Sequence, residues 1–300
     1  MISAPFASML LPRAKALTRA LTQTADEPVL VAEIKAELER KLATVTRSSD
    51  SPTRTRIDGY RLRQSISGAV EAQQPFEWTP WMARRPLGLD AVRACLADPR
   101  NAPVRAVHET IAGLRQRAHD DHPKTLGGWL AHLPRGSLAV VEAEAVAWAT
   151  QLFCALQWSE LDQPIVGADR CLGAPGSPKV TIRGRIDVEV VTNGSAESQE
   201  GLSAGLFIMM TGQPHPSAAL ELGLSALTAA LDPRRSQPCT VVGWWPEAGR
   251  AHVMRVDHKL LLRTCHAVVE AVRSLAPPAP VGHENRAESR QTNSLERIAS

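Results

Sequence analysis

The spacing of apolar and polar residues over the first half of the chain predicts helices. Helical patterns cover residues 7–45 (two helices), 88–98, 103–119 and 137–157. The second helix, VLVAEIKAELERKL, is amphipathic with Glu and Lys at helical spacing, and Ser137 is the predicted N-cap of the longest one. The stretch 46–56 is polar and contains proline, so we expect a linker or an exposed loop there.

The second half is rich in Val and Ile and predicts strands. Segments 161–172 and 179–191 alternate in part between apolar and polar residues, and Gly and Pro bound them. The segment LSAGLFIMM, 202–210, is apolar throughout, which is typical of a central strand buried on both faces. The remaining elements are expected in the order helix, strand, strand, helix, at residues 215–231, 238–245, 250–256 and 258–275.

Together these elements predict an α/β (α+β mixed) fold, in which a helical N-terminal region precedes a central mixed sheet flanked by helices. Residues 1–56 are expected to form N-terminal helices and a linker, and 57–275 the main domain, whose core is 137–275. Asp257 is expected to cap the last helix. Residues 276–300 lack apolar periodicity, so a disordered tail is expected.

The charge composition says little about whether the protein binds nucleic acid. The net charge of +3 is nearly neutral, yet six Lys stand against 28 Arg. Arginine is the better residue for bidentate phosphate contacts, but coding bias in a GC-rich genome explains the same preference. Both explanations stay open at this point.

The cysteines and the apolar runs exclude several classes of protein. Five cysteines without a C-x-x-C pair argue against a zinc site, an iron–sulfur cluster or a disulfide framework. The sequence has no apolar run of about 18 residues, as a membrane span needs, and no basic region precedes its first apolar stretch. We therefore expect a cytoplasmic protein with no membrane partner.

One set of motifs narrows the function. GRIDVEVV begins at Gly184, and the apolar strand LFIMMTG and the helix ALELGLSALTAAL follow it. This order resembles the RecB-like branch of the PD-(D/E)XK nuclease superfamily, which has a GxxD strand, a strand ending in D/E-x-K-T-G, and then a helix. The resemblance covers about 104–275 and is strongest over 184–231.

Aligning Thr211 and Gly212 with the T-G of the family assigns the positions of its active site. Asp187 then matches the first acid, whereas Ile208 stands at the second acid and Met210 at the lysine. The resemblance further places Glu221 near the glutamine of the family's helix. It also makes His108, in RAVHETIAGL, a candidate for the family's metal-facing histidine.

The two apolar replacements remove the chemistry of the family. Hydrolysis of a phosphodiester needs hard oxygen ligands for Mg²⁺ and a lysine that activates water, and Ile208 and Met210 supply neither. We therefore expect a catalytically degenerate protein without a cofactor. If it is active, Mg²⁺ or Mn²⁺ would have to bind a relocated site formed by Asp187, Glu189 and Glu221.

Three functions stay open from the sequence. The first is a non-catalytic structural subunit that binds DNA weakly through Arg183 and Arg185, or binds a protein partner such as a helicase. The second is an active metal-dependent DNA exonuclease or endonuclease. In the third, a helical N-terminal module carries the function, and its best interaction patch is the segment around Trp78, Trp81, Arg84 and Arg85. The oligomeric state is left open.

Overall fold

The computed structural model describes residues 4–23, 30–47, 54–68, 76–118, 124–192 and 203–275. The helices in these ranges are α1 (Ala4–Leu21), α2 (Val31–Arg47), α3 (Gly59–Ser67), α4 (Pro80–Ala97), α5 (Pro103–Arg117), α6 (Leu126–His132), α7 (Arg135–Ala155), α8 (Ala218–Leu231) and α9 (His258–Leu275). The strands are β1 (Thr55–Ile57), β2 (Ile165–Val166), β3 (Arg170–Ala174), β4 (Ser177–Gly184), β5 (Val188–Thr192), β6 (Ser203–Met209), β7 (Gln237–Trp245) and β8 (Arg250–Arg255). The predicted mixed α/β class is confirmed, while the tail predicted at 276–300 lies outside the described residues.

The strands form two mixed sheets. The larger has the order β2-β5-β6-β7-β8, in which β6 and β7 are parallel and the other neighbours are antiparallel. In the smaller sheet, β1-β4-β3, β1 is parallel to β4 and β3 is antiparallel to it. Helix α8 joins β6 to β7, because parallel neighbours need a crossover connection.

Strand β6 lies at the middle of the larger sheet and is buried on both faces, as its apolar sequence predicted. Phe207 and Met209 belong to a core that α1, α4, α5, α6 and α7 complete. Leu206 and Ile208 belong to a second core, built with α2, α3, α8, α9 and the smaller sheet. Adjacent residues of one strand therefore serve opposite cores, as the pleat requires.

The two N-terminal helices are divided between these cores. Leu17 and Leu21 of α1 pack into the first core, whereas Ile34 and Leu38 of α2 pack into the second. Helices α1 and α2 therefore lie on opposite faces of the larger sheet, and neither packs as a separate module.

The sequence indicates a linker or exposed loop over 46–56, but part of this stretch is regular structure. Helix α2 continues to Arg47, and β1 begins at Thr55 and pairs with β4, with Ile57 opposite Ile182. A strand of three residues is too short for alternation to reveal it, and its partner lies more than a hundred residues away. The boundary expected between 56 and 57 consequently falls inside β1.

Two predictions about caps have opposite outcomes. Asp257 caps α9, since its Oδ1 accepts a hydrogen bond from the backbone N–H of Leu260 at 2.7 Å. Ser137 does not cap α7, which begins at Arg135 with Pro134 in the capping position. The fixed φ of proline suits the residue before a helix without any side-chain hydrogen bond.

Helix α7 is, among the described helices, the one long and apolar enough to cross a membrane by length and composition. In the structure Val141, Ala145, Trp148 and Leu152 of this helix pack into the first core. These residues recur at helical spacing, so one face of the helix meets the protein.

The segment 179–191 does not form a single strand, contrary to the sequence interpretation. Strand β4 ends at Gly184 in the smaller sheet, and β5 begins at Val188 in the larger one. In one continuous strand, alternation would put Arg183, Arg185, Asp187 and Glu189 on one face, but alternation holds only within a strand and the chain changes sheets here. Arg183, Arg185 and Asp187 still lie close together, whereas Glu189 is buried in a separate ion pair.

Gly205 provides a test of the contact between α1 and β6. A Cβ atom at this position would lie 2.2 Å from the carbonyl oxygen of Leu21, and 2.8 and 2.9 Å from two further backbone atoms of that residue. We expect Gly205→Ala to lower the free energy of unfolding by about 1–3 kcal/mol in urea denaturation, because backbone cannot move aside as a side chain can. Gly173→Ala is the control, since the described residues leave open space around Gly173. Equal stability of the two variants would contradict the packing of α1 on β6.

Candidate functional site

Asp187 lies in the break between β4 and β5, and its side chain is fully buried. Its Oδ1 accepts a hydrogen bond from Arg85 Nε at 2.6 Å. Its Oδ2 accepts from the backbone N–H of Met209 at 2.7 Å and from Arg185 Nη2 at 3.2 Å. Both carboxylate oxygens are thus engaged by donors of the protein.

Arg85 of α4 binds a second carboxylate at the same time. Its Nη1 and Nη2 donate to Asp169 at 2.9 and 2.5 Å, in the loop between β2 and β3. Burial opposes the charge of Arg85, but the two carboxylates outweigh it and raise the pKa of this guanidinium. Burial likewise opposes the charge of Asp169, yet its bonds to Arg85 and to the Ile186 amide lower the pKa of this carboxyl. The charged forms of both groups are therefore favoured.

This arrangement does not fit a magnesium or manganese ion. Such ions need several free oxygen ligands, whereas the guanidinium of Arg85 stands between the carboxylates of Asp169 and Asp187. Ile208 and Met210 add no oxygen. Over the described ranges, no group of three or more His, Cys, Asp or Glu side chains is arranged to hold a metal ion. Hydrolysis through a metal-bound water cannot be derived from these residues.

A cavity of about 280 Å³ lies beside this network. It is lined by five arginines and three carboxylates, which are Arg56, Arg63, Arg85, Arg183, Arg185, Asp58, Asp169 and Glu221. Ile208, Met210, Leu222 and Leu224 supply an apolar wall, and the N-terminal residues of α3 form a rim. We call this space the arginine cavity. Positive side chains outnumber negative ones along it, even when the buried Asp187 is counted.

Arg185 shows the consequence of that excess charge. Burial lowers the pKa of this guanidinium, and the nearby charge of Arg85 lowers it further, although Asp187 opposes both. Its Nη2 donates to Asp187 and to the carbonyl of Met209, but its buried Nε finds no acceptor among the described residues. A buried donor without an acceptor is costly, so an added anion would stabilise this group.

Glu221 lies at the start of α8, on the opposite wall of the cavity. Burial raises the pKa of Glu221 to about 7, although the charges of Arg63 and Arg185 favour the ionised form. Its carboxylate lies 2.7 Å from Arg63 Nε and 3.6 Å from His215 Nε2. Close to neutral pH this residue is therefore divided between its neutral and its charged form.

The structure brings together four of the positions that the nuclease resemblance singled out. Ile208, Met210 and Glu221 line the arginine cavity, and Asp187 lies behind it, bonded to two of the lining arginines. Arg183 also lines the cavity and contacts Asp169 at 3.3 Å. These residues therefore lie near the C-terminal end of β6.

Two other candidates lie apart from the cavity lining. Glu189 is buried in an ion pair with Arg170, whose Nε lies 3.4 Å from Asp232. His108 lies on α5 with its Nδ1 3.6 Å from Glu142 of α7. Neither contributes to the wall of the arginine cavity.

Sequence reasoning missed Asp169 and misplaced Arg85, which it had assigned to an exposed patch. The signal for Arg85 is its helical position, because Leu89 and Val92 follow four and seven residues later and are buried. The neighbouring Trp81 is exposed, with the guanidinium of Arg84 4.7 Å from its ring centre. Trp78 instead donates its Nε1–H to the carbonyl of Lys124 at 2.9 Å.

Comparison with known proteins adds no relative. No protein-family model matches the chain, and no curated protein matches it significantly. The likeness to nucleases therefore rests on the motifs and on the positions just described.

Arg85 is expected to be essential for stability. Replacing it by methionine keeps the length of the side chain but leaves Asp187 buried without its strongest partner, so we expect a loss of about 3–5 kcal/mol in urea denaturation. The control is Arg84→Met, because the side chain of Glu144, the partner of Arg84, is 42% exposed and solvent screens the pair, so about 1 kcal/mol or less is expected there. Adding Asp187→Asn to Arg85→Met should cost less than the sum of the two single changes. Strict additivity would show that the two residues do not interact.

Glu221→Gln is expected to stabilise the protein in a pH-dependent way. In an unfolded chain the pKa of a glutamate is near its ordinary value of 4.5, and in the folded protein that of Glu221 is about 7. The unfolded state therefore loses its proton first, and the wild type loses stability as the pH rises from 4.5 to 7. We expect Glu221→Gln to exceed the wild type by about 1–3 kcal/mol at pH 8 and to match it near pH 4.5. Glu270→Gln, at an exposed site, is the control, and a gain that is equal at both pH values would contradict this cause.

Proposed function

We propose that this protein is a catalytically degenerate, RecB-like nuclease-fold protein that holds a backbone phosphate of a nucleic acid in the arginine cavity. The observation that supports the proposal best is the lining of this cavity, in which five arginines stand against three carboxylates among the described residues. A phosphate is the kind of anion that several guanidinium groups bind through charged hydrogen bonds.

The carboxylates of the cavity support this function by holding the arginines in place. Asp169 contacts both Arg85 and Arg183, and Asp187 contacts both Arg85 and Arg185. Each guanidinium carries five N–H donors, so a shared carboxylate orients it without using all of them. Arginines fixed in this way lose little side-chain entropy when a phosphate binds.

Glu221 favours the same ligand. Because its pKa is about 7, a nearby anion that raises this value further converts the side chain to its neutral form. The carboxylic acid then repels the phosphate no longer and is itself a hydrogen-bond donor.

The alternative function, a nuclease with a relocated metal site, receives less support from this geometry. Asp187 would have to release Arg85 and Arg185 before it could bind an ion. Glu221 is in part protonated at neutral pH, which weakens it as a metal ligand.

The expected affinity is modest. The net charge of +3 gives the protein no large basic surface, so one well-formed phosphate site must supply most of the binding energy. We expect a dissociation constant on the order of 10⁻⁵ M or weaker for single-stranded DNA at physiological salt, and weaker binding as the salt concentration rises.

Fluorescence anisotropy with a labelled single-stranded oligonucleotide tests the proposal. Arg56→Ala with Arg183→Ala removes two cavity arginines that are partly exposed, and we expect at least about tenfold weaker binding, since each lost charged hydrogen bond costs about 1.5–3 kcal/mol. The matched control, Arg105→Ala with Arg273→Ala, removes two exposed arginines elsewhere and should bind like the wild type. Equal loss of affinity in both double variants would show binding by overall charge alone.

A second experiment tests for cleavage. Incubation of the oligonucleotide with the protein and Mg²⁺ should give no cleavage, and cleavage that Glu221→Gln abolishes would establish the relocated nuclease instead.

A further inference from the structure

A second, more apolar hollow adjoins the arginine cavity. It has a volume of about 680 Å³ and lies between α3 and the segment that leads into α8. Tyr60 and Arg63 line both spaces, so the cavity and the hollow meet at these two residues. Ile66, Pro216 and Leu220 supply most of its remaining apolar wall. We call this hollow the apolar groove.

The ring of Tyr60 is presented in the groove in a fixed orientation. Its side chain is 54% exposed, and that of Ile66, also on α3, is 53% exposed. The hydroxyl of Tyr60 accepts a hydrogen bond from Gln64 Nε2 at 2.9 Å, one helical turn away. An exposed aromatic ring held at its far end by a hydrogen bond is a platform on which a flat apolar group can stack.

The two spaces differ in the number of charged side chains that line them. Arginines and carboxylates surround the cavity, whereas Arg63, where the two spaces meet, is the one arginine that the described residues contribute to the groove. His215 lies at the same junction, and burial together with the charge of Arg63 lowers the pKa of this imidazole, so it is neutral at physiological pH. The lining therefore changes from strongly cationic in the cavity to mainly apolar in the neighbouring groove.

We propose that the apolar groove holds the base of an unpaired nucleotide whose phosphate lies in the arginine cavity. The inference rests on the proposed function and adds the class of ligand, which is single-stranded nucleic acid rather than duplex. A nucleotide matches the two spaces, because its anionic phosphate suits the cationic cavity and its flat base suits the apolar groove. Bases within a duplex are paired and stacked on each other, so they cannot enter a groove, whereas unpaired bases stack on aromatic side chains.

The test compares three short oligonucleotides by anisotropy competition on the full-length protein. One is single-stranded with all its bases, one has the same backbone with abasic sites, and one is a duplex. We expect the base-bearing single strand to bind about tenfold more tightly than the abasic strand, since stacking of one base on an aromatic residue gives an effect of this order. The duplex should bind no better than the abasic strand.

Two variants assign this difference to the groove. Tyr60→Ala should bind the base-bearing and the abasic strand equally, while Tyr60→Phe, which keeps the ring and loses the hydroxyl, should preserve the preference for bases. Because Tyr60 is exposed, both variants are expected to fold, and their thermal unfolding followed by circular dichroism checks this.

The outcomes separate this inference from the proposed function. If the wild type binds both strands equally, and Arg56→Ala with Arg183→Ala weakens both, the phosphate site stands and the base site is overturned. If the two arginine substitutions weaken the binding of none of the oligonucleotides, both proposals fail. If Tyr60→Ala leaves the preference for bases intact but changes the sedimentation of the protein, the groove holds a second copy of the chain and not a base.

Discussion

One guanidinium, that of Arg85, ties three distant parts of the chain together. It extends from α4 and bonds to Asp169, in the loop before β3, and to Asp187, in the break before β5. Two carboxylates in a buried place would repel each other, and each alone would bear a large desolvation cost. A planar group that offers donors on two edges satisfies both at once, so the passage of the chain from the smaller sheet to the larger depends on it.

The other features of the cavity follow from this bridge. Because Asp187 is shared by Arg85 and Arg185, its single charge does not balance both guanidiniums, and burial together with the charge of Arg85 lowers the pKa of Arg185. Glu221, on the opposite wall, is too strongly buried to compensate fully, which is why its pKa lies near 7. The cavity is thus more positive than its count of residues suggests.

The sequence identified the parts of this site that local patterns reveal. Apolar runs and turn signals predicted β6 and α8, and the three positions that the nuclease resemblance singled out there, Ile208, Met210 and Glu221, all line the arginine cavity. Arg85 could not be found in this way, since 102 residues separate it from Asp187 and 84 from Asp169, and no periodicity spans such distances. The separation of Glu189 from Arg183 and Arg185 was missed for a related reason, because alternation predicts directions only within one strand and the chain changes sheets before Val188.

The position of Arg85 also bears on how such a fold changes over evolutionary time. Two substitutions in one strand, at Ile208 and Met210, would restore the acid and the lysine that the resemblance implies. They would not restore a metal site, because a side chain from another helix now stands between the remaining carboxylates. Loss of Arg85 alone would leave the buried carboxylate of Asp187 without this partner and would destabilise the protein. Any series of substitutions toward a metal site at these two carboxylates would therefore pass through a variant that lacks Arg85 and is less stable.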